Sequence, residues 1–383
     1  MLFSLDASPL TMACQLVSCA SVTPSDGGIF DELIELFRAS TEQIFCLQWQ
    51  DTKNLYIRWG TKAPHLCFAG HVDVVPPGPQ AQWSFPAFHP THSQGWIYGR
   101  GIADMKGAIG CFLHSLWNHL KTSPQNGSYS ILLTSDEEGP GVNGIQKMIP
   151  WLQEKQEKID HILIGEPTGN FVGEVLQIGR RGSITGTLTY PGIQGHIAYP
   201  DLCDNPMPRF VQCLFELVSK TLDEGDENFE SSRFNLIGIE PPAIAMNVSP
   251  SYAKAQFGIR FNPYQNFDSV SNYIHHVCKK HGNSYVLDLT LHGSSFLTQD
   301  VLWIECASNA ISHVTGLKPK YTTRGGTTDG RFLKNLAPVL EIGMPEATIH
   351  QIDERVKVSD FHDLSSIYTR LLQEYDKTYS KRL

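Results

Sequence analysis

Acidic residues and histidines recur where short apolar runs end. His71 and Asp73 follow the run 66–69, Asp104 closes the turn Gly99-Arg100-Gly101-Ile102-Ala103, Asp136-Glu137-Glu138 ends the run 131–134, and Glu166 follows 161–164. If these runs are strands, four carboxylate or imidazole clusters stand at strand C-termini or in the loop just after one. That edge is where open α/β sheets hold their ligands. Carboxylates gathered there repel one another unless a cation compensates them. Zinc accepts imidazole nitrogen and carboxylate oxygen alike, and a two-metal centre can share one carboxylate as a bridge. Residues i and i+2 of a strand share a face, so Asp73 is placed to orient His71 or its neighbours from behind. Taken singly, an Asp before a helix is more often a cap, and a Glu pair more often solvated surface. Four clusters on one expected edge favour a metal site instead.

The elements that must position these groups are legible from periodicity. The apolar runs are short and bounded by polar or glycine-containing segments, so they read as buried strands of a mainly parallel sheet. Helical spacing lies around them: Ile29, Phe30, Leu33, Ile34 and Phe37 after the turn Ser25-Asp26-Gly27-Gly28; Met105, Ile109, Phe112, Leu113 and Leu116; and Val142, Ile145, Met148 and Ile149. This alternation predicts an α/β domain of three layers. After Gly179 the pattern changes. Residues 183–190 alternate, 208–219 are helix-like, and 252–261 puts Ala253, Ala255, Phe257, Ile259 and Phe261 on one face. A smaller α+β insert at 181–295 is expected, separating segments 1–180 and 296–383 of the larger domain. The chain closes on a helix capped at Ser359 or Asp360, with Leu364, Ile367, Tyr368, Leu371 and Leu372 on its apolar face.

Bulk properties narrow the field. A chain of 383 residues exceeds what one core usually organises, so two domains are expected. The net charge of −9 argues against nucleic acid as a partner, and an anionic substrate would need local arginines. No run approaches the roughly 20 apolar residues of a membrane span. Residues 1–10 lack a basic stretch ahead of an apolar core, so a cytoplasmic location is expected. The nine cysteines form no CxxC pair, which suits reduced thiols.

Longer motifs sharpen the reading. Ala69-Gly70-His71-Val72-Asp73-Val74-Val75-Pro76-Pro77-Gly78, Gly99-Arg100-Gly101-Ile102-Ala103-Asp104-Met105-Lys106-Gly107 and Thr134-Ser135-Asp136-Glu137-Glu138-Gly139 resemble the three metal motifs of the dizinc peptidases and aminoacylases. Gly165-Glu166-Pro167-Thr168, Gly179-Arg180-Arg181-Gly182-Ser183, Gly195-His196-Ile197-Ala198-Tyr199-Pro200, Gly325-Gly326-Thr327-Thr328-Asp329-Gly330-Arg331-Phe332 and Ala347-Thr348-Ile349-His350 are similar to the desuccinylases within that family. The resemblance runs nearly end to end and implies two zinc ions per subunit, with cobalt as a possible substitute. Asp104 would bridge them, with His71 and Glu166 on one ion and Glu138 and His350 on the other. Glu137 would be the general base and then the acid, and Asp73 would support the site. The resemblance also implies a homodimer joined through the insert, with His196 stabilising the oxyanion in the partner's site. Arg180, Tyr199, Asn247, Arg260 and Thr327 would contact an anionic N-acyl amino acid, N-succinyl-LL-2,6-diaminopimelate first among them.

Three departures touch the substrate motifs and none a metal ligand. Arg324 stands where the family usually has a small residue, His292-Gly293-Ser294-Ser295-Phe296 replaces a usual Ser-Gly-x-Pro-Phe, and Glu346 replaces a usual Asn. Glu346 would repel a succinyl carboxylate unless a cation such as Arg324 neutralised it. An acetylornithine deacetylase or related N-acyl amino-acid hydrolase is the nearest alternative. A non-catalytic binding protein on the same fold is disfavoured by the complete ligand set, and Gly99-x-Gly101 does not continue as a dinucleotide fingerprint.

Overall fold

The computed structural model describes residues 3–122, 127–240 and 245–379, so Met1 and Leu2 of the opening segment 1–10 lie outside the described residues. Eight strands build the principal sheet: Ile44–Trp49 (β1), Thr52–Trp59 (β2), His65–His71 (β3), Ser128–Thr134 (β4), His161–Ile164 (β5), Val175–Gln177 (β6), Lys320–Thr322 (β7) and Val339–Glu341 (β8). Their order is β1-β2-β4-β3-β5-β8-β6-β7. β4, β3, β5 and β8 run parallel at the centre, and β1 and β2 add an antiparallel edge. Every residue of the four central strands is buried. Strands covered on both faces have no polar side, which is why they read as unbroken apolar runs. The α/β class and the mainly parallel sheet are as the sequence predicts.

Helices Pro9–Ser18 (α1), Ile29–Phe37 (α2), Gly107–Thr122 (α3), Ile145–Glu154 (α4), Val301–Thr315 (α5) and Val358–Tyr379 (α6) belong to the same unit. α1, α3, α5 and α6 pack on one another. On α6 the buried stripe includes Leu364, Ile367, Tyr368, Leu371 and Leu372. Some boundaries differ from the periodic pattern. Met105 lies in the turn Ile102–Lys106 ahead of α3. Val142 is 51% exposed ahead of α4, because the Asp136 carboxylate draws in the N–H groups of Gly141 and Asn143 and holds that segment as a loop. α6 begins before its expected cap, and Asp360 reaches back to accept from Lys357 N–H at 2.9 Å.

The second compact unit comprises Gly179–Leu297 and Thr323–Thr327. Its four-stranded antiparallel sheet has the order Arg233–Glu240, Tyr252–Phe261, Gly182–Pro191, Val286–Gly293. Helices Met207–Ser219 and Phe267–His281 join its core around Tyr190, Phe210, Phe257 and Ile274. The sequence assigns residues 323–327 to segment 296–383, but contacts bind them here. Thr323 Oγ1 donates to Asn228 O at 2.5 Å, and Arg180 Nη1 donates to Arg324 O at 3.3 Å. Such partners are distant along the chain and leave no periodic trace.

Candidate metal centre

All the expected metal ligands lie in the first unit. β3 ends on His71, β4 runs into Glu137 and Glu138, and β5 into Glu166, so adjacent parallel strands deliver these groups to one sheet edge. Asp104 sits in the turn before α3. His350 comes from the loop after β8, with φ 60°, a left-handed conformation that a non-glycine residue holds only where its surroundings impose it. Thr348 Oγ1 closes that loop, donating to Arg355 O at 2.8 Å and accepting from Arg355 N at 3.0 Å.

Two groups of ligand atoms result. His71, Asp104 and Glu166 form one, Asp104, Glu138 and His350 the other, and within each the atoms lie within 4.8 Å of one another. Asp104 is common to both: Oδ1 is 3.1 Å from His71 Nε2, and Oδ2 is 3.3 Å from His350 Nε2. His350 Nε2 is 2.8 Å from Glu138 Oε1, and Glu166 Oε1 is 3.7 Å from His71 Nε2. His71 Nδ1 lies 2.9 Å from the Asp73 carbonyl oxygen, so Nδ1 carries a proton and Nε2 is the ring nitrogen that faces the centre. The Asp73 carboxylate has a separate task. It accepts from Glu137 N at 3.3 Å and Glu138 N at 3.1 Å, positioning the expected base and a ligand through their backbone.

The charges are in conflict without a cation. Burial pushes Glu137 up to about 8, with Asp329, Glu138 and Asp104 adding to the rise and His71 opposing it. Burial, Asp104 and Glu137 likewise raise Glu166 well above the carboxylate range. Hydrogen bonds to Asp104 and Glu138 push His350 up to about 10. Burial opposes charge on His71, yet Asp104, Glu166 and Glu137 raise it well above its ordinary value. Imidazoles and carboxylates around one shared Asp are donors suited to a pair of divalent cations, which would relieve this repulsion.

Sequence reasoning missed several supporting residues. Glu354, 1% exposed, accepts from Arg100 Nη1 and from three backbone N–H groups of the Asp104 turn. Its partners are mostly backbone, so no side-chain pattern announces it. Asp329, 5% exposed, is pushed up to about 7 by burial and its acidic neighbours, and adds to the field on Glu137. It lies two residues after Thr327 in the stretch Gly325-Gly326-Thr327-Thr328-Asp329-Gly330-Arg331-Phe332, where an acidic residue ahead of a short helix reads as a cap.

The expected substrate residues and His196 lie in the second unit. His196, Tyr199 and Asn247 come together at the surface: the rings of the first two are 5.6 Å apart, and the Asn247 amide is 3.4 Å from His196 Nε2. His196 Nδ1 accepts from Ala198 N at 3.1 Å, which assigns the ring proton to Nε2. Arg180 is buried and holds the segment carrying Thr327. Arg260 donates to Ser183 Oγ. Arg324, for which the sequence suggests Glu346 as partner, donates to Glu230 Oε1 at 2.5 Å, while Glu230 Oε2 takes Arg181 Nη1 at 2.9 Å. His292 Nε2 is 2.8 Å from Thr185 Oγ1. Among the described residues, no helix is long and apolar enough to cross a membrane.

Known proteins are similar to this chain over nearly its whole length. The model of peptidase family M20/M25/M40 matches residues 67–374. A succinyl-diaminopimelate desuccinylase of Rhodospirillum centenum is 40% identical over 374 residues, covering 96% of this chain and 97% of its own. One of Afipia carboxidovorans is 42% identical over 380 residues, covering 96% and 99%. Among solved structures, an M20 family metallo-carboxypeptidase from Sulfolobus solfataricus aligns with TM-score 0.77 at 17% identity, over 96% of this chain and 99% of its own. A dinuclear metal binding peptidase of the M20 family from Bacillus subtilis aligns with TM-score 0.70 at 12% identity, over 97% and 98%. The chain belongs to peptidase family M20/M25/M40.

Proposed function

We propose that this protein is a cytoplasmic dizinc amide hydrolase. Its reaction would convert N-succinyl-LL-2,6-diaminopimelate and water to succinate and LL-2,6-diaminopimelate, a step of lysine and diaminopimelate biosynthesis. The observation that carries the chemistry is one carboxylate, Asp104, shared by two ligand groups. Near full-length similarity to proteins named succinyl-diaminopimelate desuccinylase supports the substrate.

His71, Asp104 and Glu166 would hold one zinc, and Asp104, Glu138 and His350 the other; cobalt suits the same donors. When bound, two such cations polarise an amide carbonyl and acidify a water toward neutral pH. Glu137 takes the proton of the attacking water and returns it to the leaving amine nitrogen. Asp73 holds Glu137 in place for both transfers through its backbone N–H. Arg180, Tyr199, Asn247, Arg260 and Thr327 bind the substrate, and an arginine fork suits its carboxylates. His196, with its proton on Nε2, donates to the developing oxyanion in a partner's site.

Features of the second unit support a homodimer. Helix Met207–Ser219 buries Phe210, Cys213, Leu214 and Leu217 and exposes Val211, Phe215 and Val218. Edge strand Arg233–Glu240, which this helix touches, exposes Leu236, Ile237 and Ile239. A strand edge beside an apolar helix stripe suits a second copy of the chain.

The test is hydrolysis of N-succinyl-LL-diaminopimelate beside N-acetylornithine, by zinc-loaded enzyme and by Glu137→Gln. Succinyl turnover that falls about 10²–10⁴-fold in the variant, with zinc retained, supports reaction and base together. Turnover of acetylornithine alone would keep the mechanism and discard the substrate.

A further inference from the structure

We propose, on the two-metal reading of the site, that Glu354 is a positioning residue, setting where the shared ligand Asp104 stands relative to His350. Glu354 belongs to neither ligand group and is 1% exposed. Its Oε2 accepts from Arg100 Nη1 at 2.8 Å and Gly101 N at 2.9 Å, and its Oε1 from Ala103 N at 2.9 Å and Asp104 N at 3.2 Å. A buried carboxylate is costly unless its lone pairs are filled, and four donors fill this one. Three of them are N–H groups of a single turn. Gly101 has φ 86°, and a Cβ there would stand 2.6 Å from Val74 Cγ1, so this turn requires glycine. Converging N–H groups of this kind make a concavity that holds an anion. In this chain the anion is an internal side chain.

Asp104 is therefore gripped at both ends. Glu354 takes its N–H, while its carboxylate lies between His71 and His350. Glu354 follows His350 by four residues, and the chain between them is tied to the same turn. Arg100 Nη1 also donates to Gln351 O at 3.2 Å, and Gly99 N donates to Glu354 O at 2.9 Å. One side chain thus holds the turn carrying the shared ligand in register with the loop carrying His350. Displacing that turn would carry the Asp104 oxygens away from one histidine or both.

Two variants separate positioning from simple stapling of the fold. Glu354→Gln keeps the size but removes the charge facing Arg100 and presents an NH₂ to backbone N–H groups. Glu354→Asp keeps the charge and withdraws it by one methylene. Metal-free parent and variants are titrated with zinc against a competing chelator, with circular dichroism of the same samples and visible spectra after cobalt loading. The parent should bind two ions per chain. Both variants should hold at least one ion about 10–100-fold more weakly, with a changed cobalt spectrum and native circular dichroism. Variants that bind both ions with parental affinity and spectrum, whatever becomes of their activity or melting temperature, would overturn the proposal. If Glu354→Gln does not fold, Glu354→Asp decides by the same criterion. A parent that binds no ion overturns the two-metal reading and this proposal with it; a parent that binds two beside equally tight variants overturns this proposal alone.

Discussion

Asp73 shows how much a single buried carboxylate can organise. Its two oxygens take the N–H groups of Glu137 and Glu138, while its carbonyl takes the ring proton of His71. One residue therefore positions the proposed base, a member of one candidate ligand group and a member of the other. Asp73→Asn can accept at only one side-chain atom and turns an amide donor toward the second N–H. We expect kcat to fall about 10–100-fold with little change in KM, since the lost contacts orient the ligands and the base. Steady-state kinetics of the zinc-loaded variant measure this; an unchanged kcat would contradict the orienting role. The spacing His71-x-Asp73 already pointed to support from behind. Which atoms deliver it could not be read, because a backbone carbonyl and two amide hydrogens carry no sequence signature.

At the scale of elements, strand ends must approach closely for their ligands to meet. Gly343 follows β8, and a Cβ there would stand 2.2 Å from Glu166 O and 2.4 Å from Gly165 O. Both are backbone atoms and cannot swing aside. Gly343→Ala should cost about 1–3 kcal/mol of stability, seen as a lower melting temperature, and should weaken zinc binding through the displaced Glu166. β3 carries a second dependence at its other end. His65 is 1% exposed, with ring nitrogens 2.8 Å from Lys158 O and 2.8 Å from Ser130 Oγ. Burial, aided by the charge of Arg58, lowers it from 6.5 to about 4. The fold thus favours the neutral ring. Its contribution is complete above pH 6.5 and is lost as pH falls toward 4, on the order of 3 kcal/mol in all. Denaturant unfolding at pH 7, 5.5 and 4 should show this loss, and His65→Gln should show a shallower one. Equal slopes in the two proteins would rule His65 out as the source.

At the scale of the molecule, the proposed pairing of two copies makes activity depend on assembly. Phe215 and Ile237 are 70% and 67% exposed on the apolar faces of the second unit. Phe215→Lys combined with Ile237→Lys should shift sedimentation from dimer to monomer, with native circular dichroism and zinc content. Activity should fall at least about 10²-fold, the loss typical of one missing oxyanion donor. A monomeric variant with full activity would remove the partner's His196 from the mechanism. The sequence by itself predicted the α/β class, three of the four central strands and the candidate residues His71, Asp104, Glu137, Glu138 and Glu166, and the resemblance of its motif added His350. Unbroken apolar runs end directly on chemically distinctive residues, and both features are local. Tertiary structure alone decided four things: Glu354 beneath Asp104, the charge of Asp329 acting on Glu137, Glu230 on Arg324, and residues 323–327 in the second unit. Each of these depends on backbone donors, burial or charges far apart along the chain, and such interactions leave no periodic trace in the sequence.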